Sequence, residues 1–559
     1  MPHKTSSLSD QLTADDNDQS APIVHTAHSN EEPILLPSRI THKFYEPLVL
    51  QISLTDAPSN NYRDSSVDMP AKVNTGDLEQ LFHAFVNKLC HVCDRSRGGN
   101  SVTSLTILNS LFNKGRVHYW FAVNQASPKE LATAGEFVKS LLRQIGEAPD
   151  DPARQNKVRK SLLYDVLQFN RPRISVYLRG IQKELDECLK RCRLDESDEN
   201  KIIANELSVL VDPGNIGGEL HDPEPDYVTK CETTIRQLIH IFSTPAGKTI
   251  EQRAAEGRRS SMPGITSMEV WSDFLHNARR ILAYPQSVTF FLLARRTWPQ
   301  LFLNPLLSFL PSSQPAARPA RNKSMSADSI VGRMTRKEKE ITIFRDYVRS
   351  LQSFDLDQRI QHEYSKDTFR PIVHSEVLLL DFLAKSPDFG DGINPSHFFN
   401  DWMYIGSSKP TCKLCAYYFE EHRSHVEHRP THGNVYHNWR FPDVYPSQGK
   451  KEGEEARQIM VDRVLQRLRK DAFDIVRKKI PPTYKRLDTN TFSATVSMAE
   501  GWTRSGGSTS SGSDDVASLV GELDVGEAEE RAGLFAAEGE LDDDDGDDGD
   551  DGDDGGAML

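Results

Sequence analysis

Two short stretches of this chain carry the residue types that metal-assisted hydrolysis needs. His374-Ser375-Glu376 stands at the mouth of the apolar run Val377-Leu378-Leu379-Leu380, and Cys412-Lys413-Leu414-Cys415 follows Pro410-Thr411. An imidazole and two thiolates are ordinary zinc ligands. Three protein ligands leave a fourth position for water, whose pKa the metal lowers to about 7. A carboxylate kept off the metal can then carry protons to and from the reacting group. Two apart on a regular helix, His374 and Glu376 would point some 200° apart. They converge only if His374 sits at a strand-to-helix junction, which the apolar Ile372-Val373 before it and the apolar run after it allow.

The two signals differ in weight. With 18 His and 81 acidic residues, a His-x-acid triplet arises by chance roughly two or three times. Seven cysteines give a Cys-x-x-Cys only about one time in ten. The chain has two. Cys90-x-x-Cys93 lies inside an apolar helical pattern, where residues three apart share a face and Cys packs as a small hydrophobe; Cys188 and Cys192 read the same way. Cys412 and Cys415 follow a strand-like segment and a proline turn, at a helix start whose dipole and free N–H groups favour thiolate. A rival grouping, Cys412-x2-Cys415-x12-His428-x3-His432, has the spacing of a C2H2 zinc finger. Against it stand Pro430 inside the last turn, His425 where the finger's core leucine belongs, and the unexplained His374-Glu376 pair. A site without metal is the third alternative.

The order His374-x-Glu376, strand, Pro410, Cys412-x-x-Cys415 resembles the zinc nucleic-acid and nucleoside deaminases. More narrowly, Ser408-Lys409-Pro410-Thr411-Cys412-x-x-Cys415, Thr431-His432-Gly433 and Trp439-x-x-Pro442 look like a toxin-related branch of the cytidine deaminase-like superfamily, one expanded in filamentous fungi. The resemblance covers about Phe354 to Asp443, and Thr411 between Pro410 and Cys412 departs from the general signature. It implies zinc held by His374, Cys412 and Cys415, Glu376 as the catalytic acid and base, and water attack at C4 of a cytosine or C6 of an adenine. The expected substrate is a nucleic acid rather than a free nucleoside, with RNA and DNA both open. A non-catalytic zinc-stabilised module with a protein partner on its helical part is the alternative.

The elements that would position these residues give an α+β expectation: a helical N-terminal domain followed by a three-layer α/β/α deaminase-like domain. Residues 1–32 and 487–559 read as disordered and 33–310 as mainly helical. Residues 311–340 read as a basic Pro/Ser/Arg-rich linker, and 341–482 as the zinc domain ending in an amphipathic helix. Alternation at Ile40, Phe44, Leu48, Leu50 and Ile52 suggests strands within 34–54, and Val117–Val123 suggests one more. Leu78, Leu81, Phe82, Phe85 and Leu89 recur at helical spacing behind a capping Asp77. His240 reads as a core histidine, and His422, His425 and His428 as one exposed helical face. Trp402 and Tyr404 read as buried strand aromatics. The basic residues of the linker and of the last helix (Arg463, Arg467 and Lys470 among them) read mainly as solvated, with phosphates or an import receptor as the alternative.

At 559 residues more than one folded unit is expected. The net charge of −14 hides a division. Residues 505–559 hold 19 acids and one base, Arg531, a net of −18, which leaves +4 for the rest. No apolar run approaches the roughly 20 residues that span a bilayer. No secretory signal is apparent, and seven cysteines do not make a disulfide scaffold. An intracellular protein, cytoplasmic or nuclear and away from membranes, is therefore expected.

Overall fold

The structure is a computed structural model that describes residues 23–24, 31–55, 71–110, 115–211, 224–259, 269–320, 322–479 and 494–496, save positions 75, 196, 323 and 391. The expectations for 1–32 and 487–559 therefore fall almost wholly outside the described residues. The architecture is mixed α/β. In chain order come strand β1 (Ile23–Val24), helix α1 (Ser38–Thr55), β2 (Ala71–Val73), α2 (Leu78–Cys93), β3 (Thr103–Asn109) and β4 (Val117–Val123). A run of helices follows: α3 (Pro128–Gly146), α4 (Pro152–Phe169), α5 (Arg171–Leu194), α6 (Asp198–Ser208), α7 (Glu224–Ser243), α8 (Pro245–Arg259) and α9 (Glu269–Thr297). Then come β5 (Leu306–Phe309), α10 (Ala327–Met334), α11 (Glu338–Leu351), α12 (Leu356–Ser365), α13 (Ser375–Lys385), β6 (Tyr404–Ser407), α14 (Lys413–Glu421), β7 (Glu427–His428), α15 (Lys450–Arg477) and β8 (Ala494–Val496).

One sheet organises the molecule, in the order β1-β5-β4-β3-β6-β7, while β2 and β8 form a separate parallel pair. β3 and β4 are a full antiparallel hairpin, Thr103 opposite Val123 through Asn109 opposite Val117. β6 joins β3 antiparallel, Ser104 opposite Ser407. β5 lies parallel to β4, and β7 parallel to β6. Because side chains alternate across a strand, the sheet separates two cores. Leu105, Ile107, Tyr119 and Phe121 pack with α2 and the helices of 128–302. Leu108, Trp120, Ala122 and Ile405 pack with α1, α10–α13 and α15 on the other side. Gly406 lets α2 approach β6: a Cβ there would meet Val86 Cγ1 at 2.5 Å.

Several expectations change. Residues 38–55 are a helix, not strands. Phe44, Leu48 and Ile52 are four apart as well as evenly spaced, and burial of one helical face decides between the two periods. The Val117–Val123 strand is present, but its partner β3 went unread within the supposedly helical span. The boundary placed at 311–340 does not divide the sheet, since β3, β4 and β5 precede it and β6 and β7 follow it. Nor is that stretch a bare linker, because α10 buries Ala327, Ile330, Val331 and Met334. Two of its bases are engaged within the chain: Arg318 with Asp367 at 2.7 Å and Arg333 with Glu46 at 2.9 Å. The last amphipathic helix is longer than its apolar stripe and buries Val461, Val464, Leu465, Leu468, Ala472 and Val476. Among the described residues no helix is long and apolar enough to cross a membrane.

Candidate active site

His374 precedes α13 as its N-cap, with extended backbone (φ −69°, ψ 149°). The segment before it is held extended by residues 438–440: Ile372 N–H donates to Asn438 O at 2.7 Å, and Arg440 N–H to Ile372 O at 2.9 Å. His374 thus sits at the junction that lets its ring and the Glu376 carboxyl share one side. Cys412 holds the same place on α14, where its Sγ accepts the Cys415 N–H at 3.4 Å. The loop leading to it is fixed by Thr411 N–H donating to Pro430 O and His432 N–H to Thr411 O, both at 3.2 Å.

The structure brings His374, Cys412 and Cys415 together. His374 Nδ1 lies 3.6 Å from Cys412 Sγ and 3.5 Å from Cys415 Sγ, and the three atoms are mutually within 4.8 Å. A nitrogen at ~2.1 Å and a sulfur at ~2.3 Å from one tetrahedral ion stand about 3.6 Å apart, so the observed spacings fit zinc. The finger's remaining ligands do not join the sulfurs among the described residues. His428 Nδ1 faces Arg429 O at 2.8 Å, and His432 Nδ1 accepts the Asn434 N–H at 3.0 Å.

Electrostatics follow from burial. Glu376 is 4% exposed; burial foremost, then Cys412, pushes its carboxyl up to about 7 against the pull of His374. Two adjacent buried sulfurs do not both ionise without a cation between them. Burial opposes the charge on Cys412, yet the Cys415 hydrogen bonds and the His374 ring bring its thiol well below the ordinary value. Burial and the neighbouring Cys412 drive Cys415 well above. His374 is held above its ordinary value, burial being outweighed by Cys412 and Glu376.

Residues that sequence reasoning missed surround the cluster. Trp439 Nε1–H donates to Cys415 Sγ at 3.3 Å; its string was noticed, its contact was not. Asp94, at the end of α2, accepts from Ser408 Oγ at 2.9 Å and pairs with Arg173 at 2.6 Å, both groups buried. Lys409 Nζ donates to Gly98 O at 2.8 Å. Other candidates disperse. His422 ends α14, His425 takes a left-handed φ of 55° and His428 lies in β7, so they share no helical face. His240 is exposed, 3.6 Å from Glu206. Tyr404 is buried with its ring stacked on His83 at 3.7 Å, so it offers no free stacking face. None of the seven cysteines is in a disulfide, and all are buried.

No curated protein and no solved structure matches the chain. Residues 373–443 match the family model described as OTT_1508_deam-like deaminase. That span contains the three residues of the cluster, Glu376 and Trp439. The part of the chain that carries the site is thus similar to a deaminase-like family.

Proposed function

We propose that this chain is a zinc-dependent hydrolytic deaminase of a nucleobase within nucleic acid, with His374, Cys412 and Cys415 as the metal ligands and Glu376 as the catalytic acid and base. One observation carries the reading: an imidazole nitrogen stands 3.5–3.6 Å from two sulfurs, beside a buried carboxyl, inside the deaminase-like segment. Zinc, when bound, supplies Lewis acidity to a water at the position the three ligands leave open. Glu376 takes one proton from the attacking water and delivers it to the ring nitrogen, then carries the second, from the new hydroxyl on the ring carbon, to the departing amine. The water oxygen ends on C4 of cytosine or C6 of adenine, and ammonia leaves. Burial of Glu376 keeps bulk water from competing for that proton. The preference for a polymer rests on the family resemblance; a net of +4 outside residues 505–559 adds only a small electrostatic attraction.

The test is ammonia release from nucleosides, single-stranded RNA and single-stranded DNA by the zinc-loaded full chain. Glu376→Gln is expected to keep one zinc per chain while turnover falls at least about a hundredfold. His374→Ala and Cys412→Ser are expected to lose the metal, and His428→Ala to keep it. Parental turnover in Glu376→Gln, or no ammonia from any probe, overturns the enzyme reading. Zinc that survives His374→Ala and disappears with His428→Ala establishes a structural finger instead.

A further inference from the structure

The first N–H groups of a helix have no partner inside it, and the residue at the N-cap ordinarily supplies a side-chain acceptor. At α13 that residue is His374, which makes no capping hydrogen bond; its Nδ1 faces the sulfurs instead. The first N–H of α13, which an N-cap side chain does not ordinarily reach, has an acceptor from another element. Ser375 N–H, buried between His374 and Glu376, donates to Asn124 Oδ1 at 2.7 Å. Asn124 directly follows β4 and is 5% exposed. Its own N–H donates to Val102 O at 3.0 Å, and its Nδ2 donates to Gly99 O at 2.8 Å. This fixes the orientation of the amide, because a flipped group would set donor against donor and acceptor against acceptor. One strand away, Ser104 Oγ and Ser375 Oγ lie 2.8 Å apart, and both serines are fully buried.

We propose that Asn124 is a positioning residue for the site: it holds the first N–H of α13, the Ser375 amide between His374 and Glu376, and so sets the rotation of the turn that carries both side chains. The role belongs to the hairpin half of the sheet, 251 residues upstream of the turn it holds. The turnover and zinc-affinity arms of its test rest on the proposed function, and the hydrogen-exchange arm stands apart from it.

The experiment compares the zinc-loaded full chain with Asn124→Ala and Asn124→Asp, the latter keeping an acceptor for the Ser375 N–H. Three quantities are read: amide hydrogen exchange over 373–378, zinc affinity by chelator competition, and kcat and KM on whichever probe the parent deaminates. In Asn124→Ala, exchange over 373–378 is expected to quicken and zinc affinity to fall about 10–100-fold. The kcat is expected to fall about a hundredfold with KM within about twofold. Asn124→Asp is expected to recover most of the zinc affinity and kcat, which simple loss of packing would not allow. Exchange and zinc affinity that stay parental in Asn124→Ala overturn the inference, as does an Asn124→Asp chain no better than Asn124→Ala. If Asn124→Ala does not fold, an Asn124→Asp chain with less than a hundredth of the parental zinc affinity overturns it equally. A parent that binds zinc and shows this dependence but releases no ammonia overturns the deaminase reading alone.

Discussion

Trp439 is fully buried and presents its indole N–H to Cys415 Sγ, while Phe44, Tyr418 and Phe441 pack around the ring. A donor aimed at sulfur stabilises the thiolate, the form that binds metal, and partners of this kind orient and tune the ligands they touch. Trp439→Phe keeps an aromatic ring in the pocket and removes the donor. Zinc affinity, read by chelator competition, is expected to fall about tenfold with the Cys412–Cys415 pair intact. An unchanged affinity would show that the N–H···S contact does nothing for the metal. At this scale the sequence is informative where chemistry restricts residue type. His374, Glu376, Cys412 and Cys415 announce themselves by spacing. Asn124 and Asp94 do not, because nothing near them along the chain hints at Ser375 or Ser408. His240 misled for a simpler reason: it borders an apolar stripe on α7 without belonging to it.

The elements around the loop before Cys412 depend on a buried ion pair. Asp94 accepts from Ser101 Oγ at 2.5 Å and Ser408 Oγ at 2.9 Å, and Arg173 on α5 reaches it at 2.6 Å and also donates to Tyr177 Oη. Arg173 is 1% exposed and Asp94 fully buried. Removing one member of such a pair leaves an uncompensated charge in the interior and costs about 3–5 kcal/mol. Arg173→Ala is expected to lose that much in urea unfolding. Replacing both residues by apolar ones of similar volume is expected to cost less than the single change. A loss under about 1 kcal/mol would mean that water reaches Asp94 in the folded chain. Element type was legible where one period dominated, as in α2, β4 and α15. It failed where two periods coincided, as in α1. β3 was missed because Leu105, Ile107 and Leu108 do not alternate strictly, and its identity comes from pairing with β4 and β6 rather than from its own pattern.

At the scale of the whole molecule, a boundary drawn from composition at 311–340 cut through a sheet, because order in a sheet is set by pairing and not by proximity along the chain. β6 carries the loop to Cys412, and its neighbour β3 lies about 300 residues upstream. Groups that fix the turns of His374 and Cys412 from outside 341–482, among them Asn124, Ser104, Thr103, Asp94, Asn87, Gly98 and the Ser313 hydroxyl that accepts the Val373 N–H, come before residue 341. A chain begun at residue 341 would leave one edge of β6 unpaired and uncover Ile405, Leu380 and the rest of the face that packs on the hairpin. Such a fragment is expected to show no cooperative thermal transition and no zinc retention through gel filtration. A chain trimmed to 31–479 keeps all of these contacts and is expected to hold zinc with parental affinity. Retention of zinc at parental affinity by the 341–482 fragment would mean that the cluster assembles without the hairpin, and that the upstream half is an attachment to the site rather than part of it.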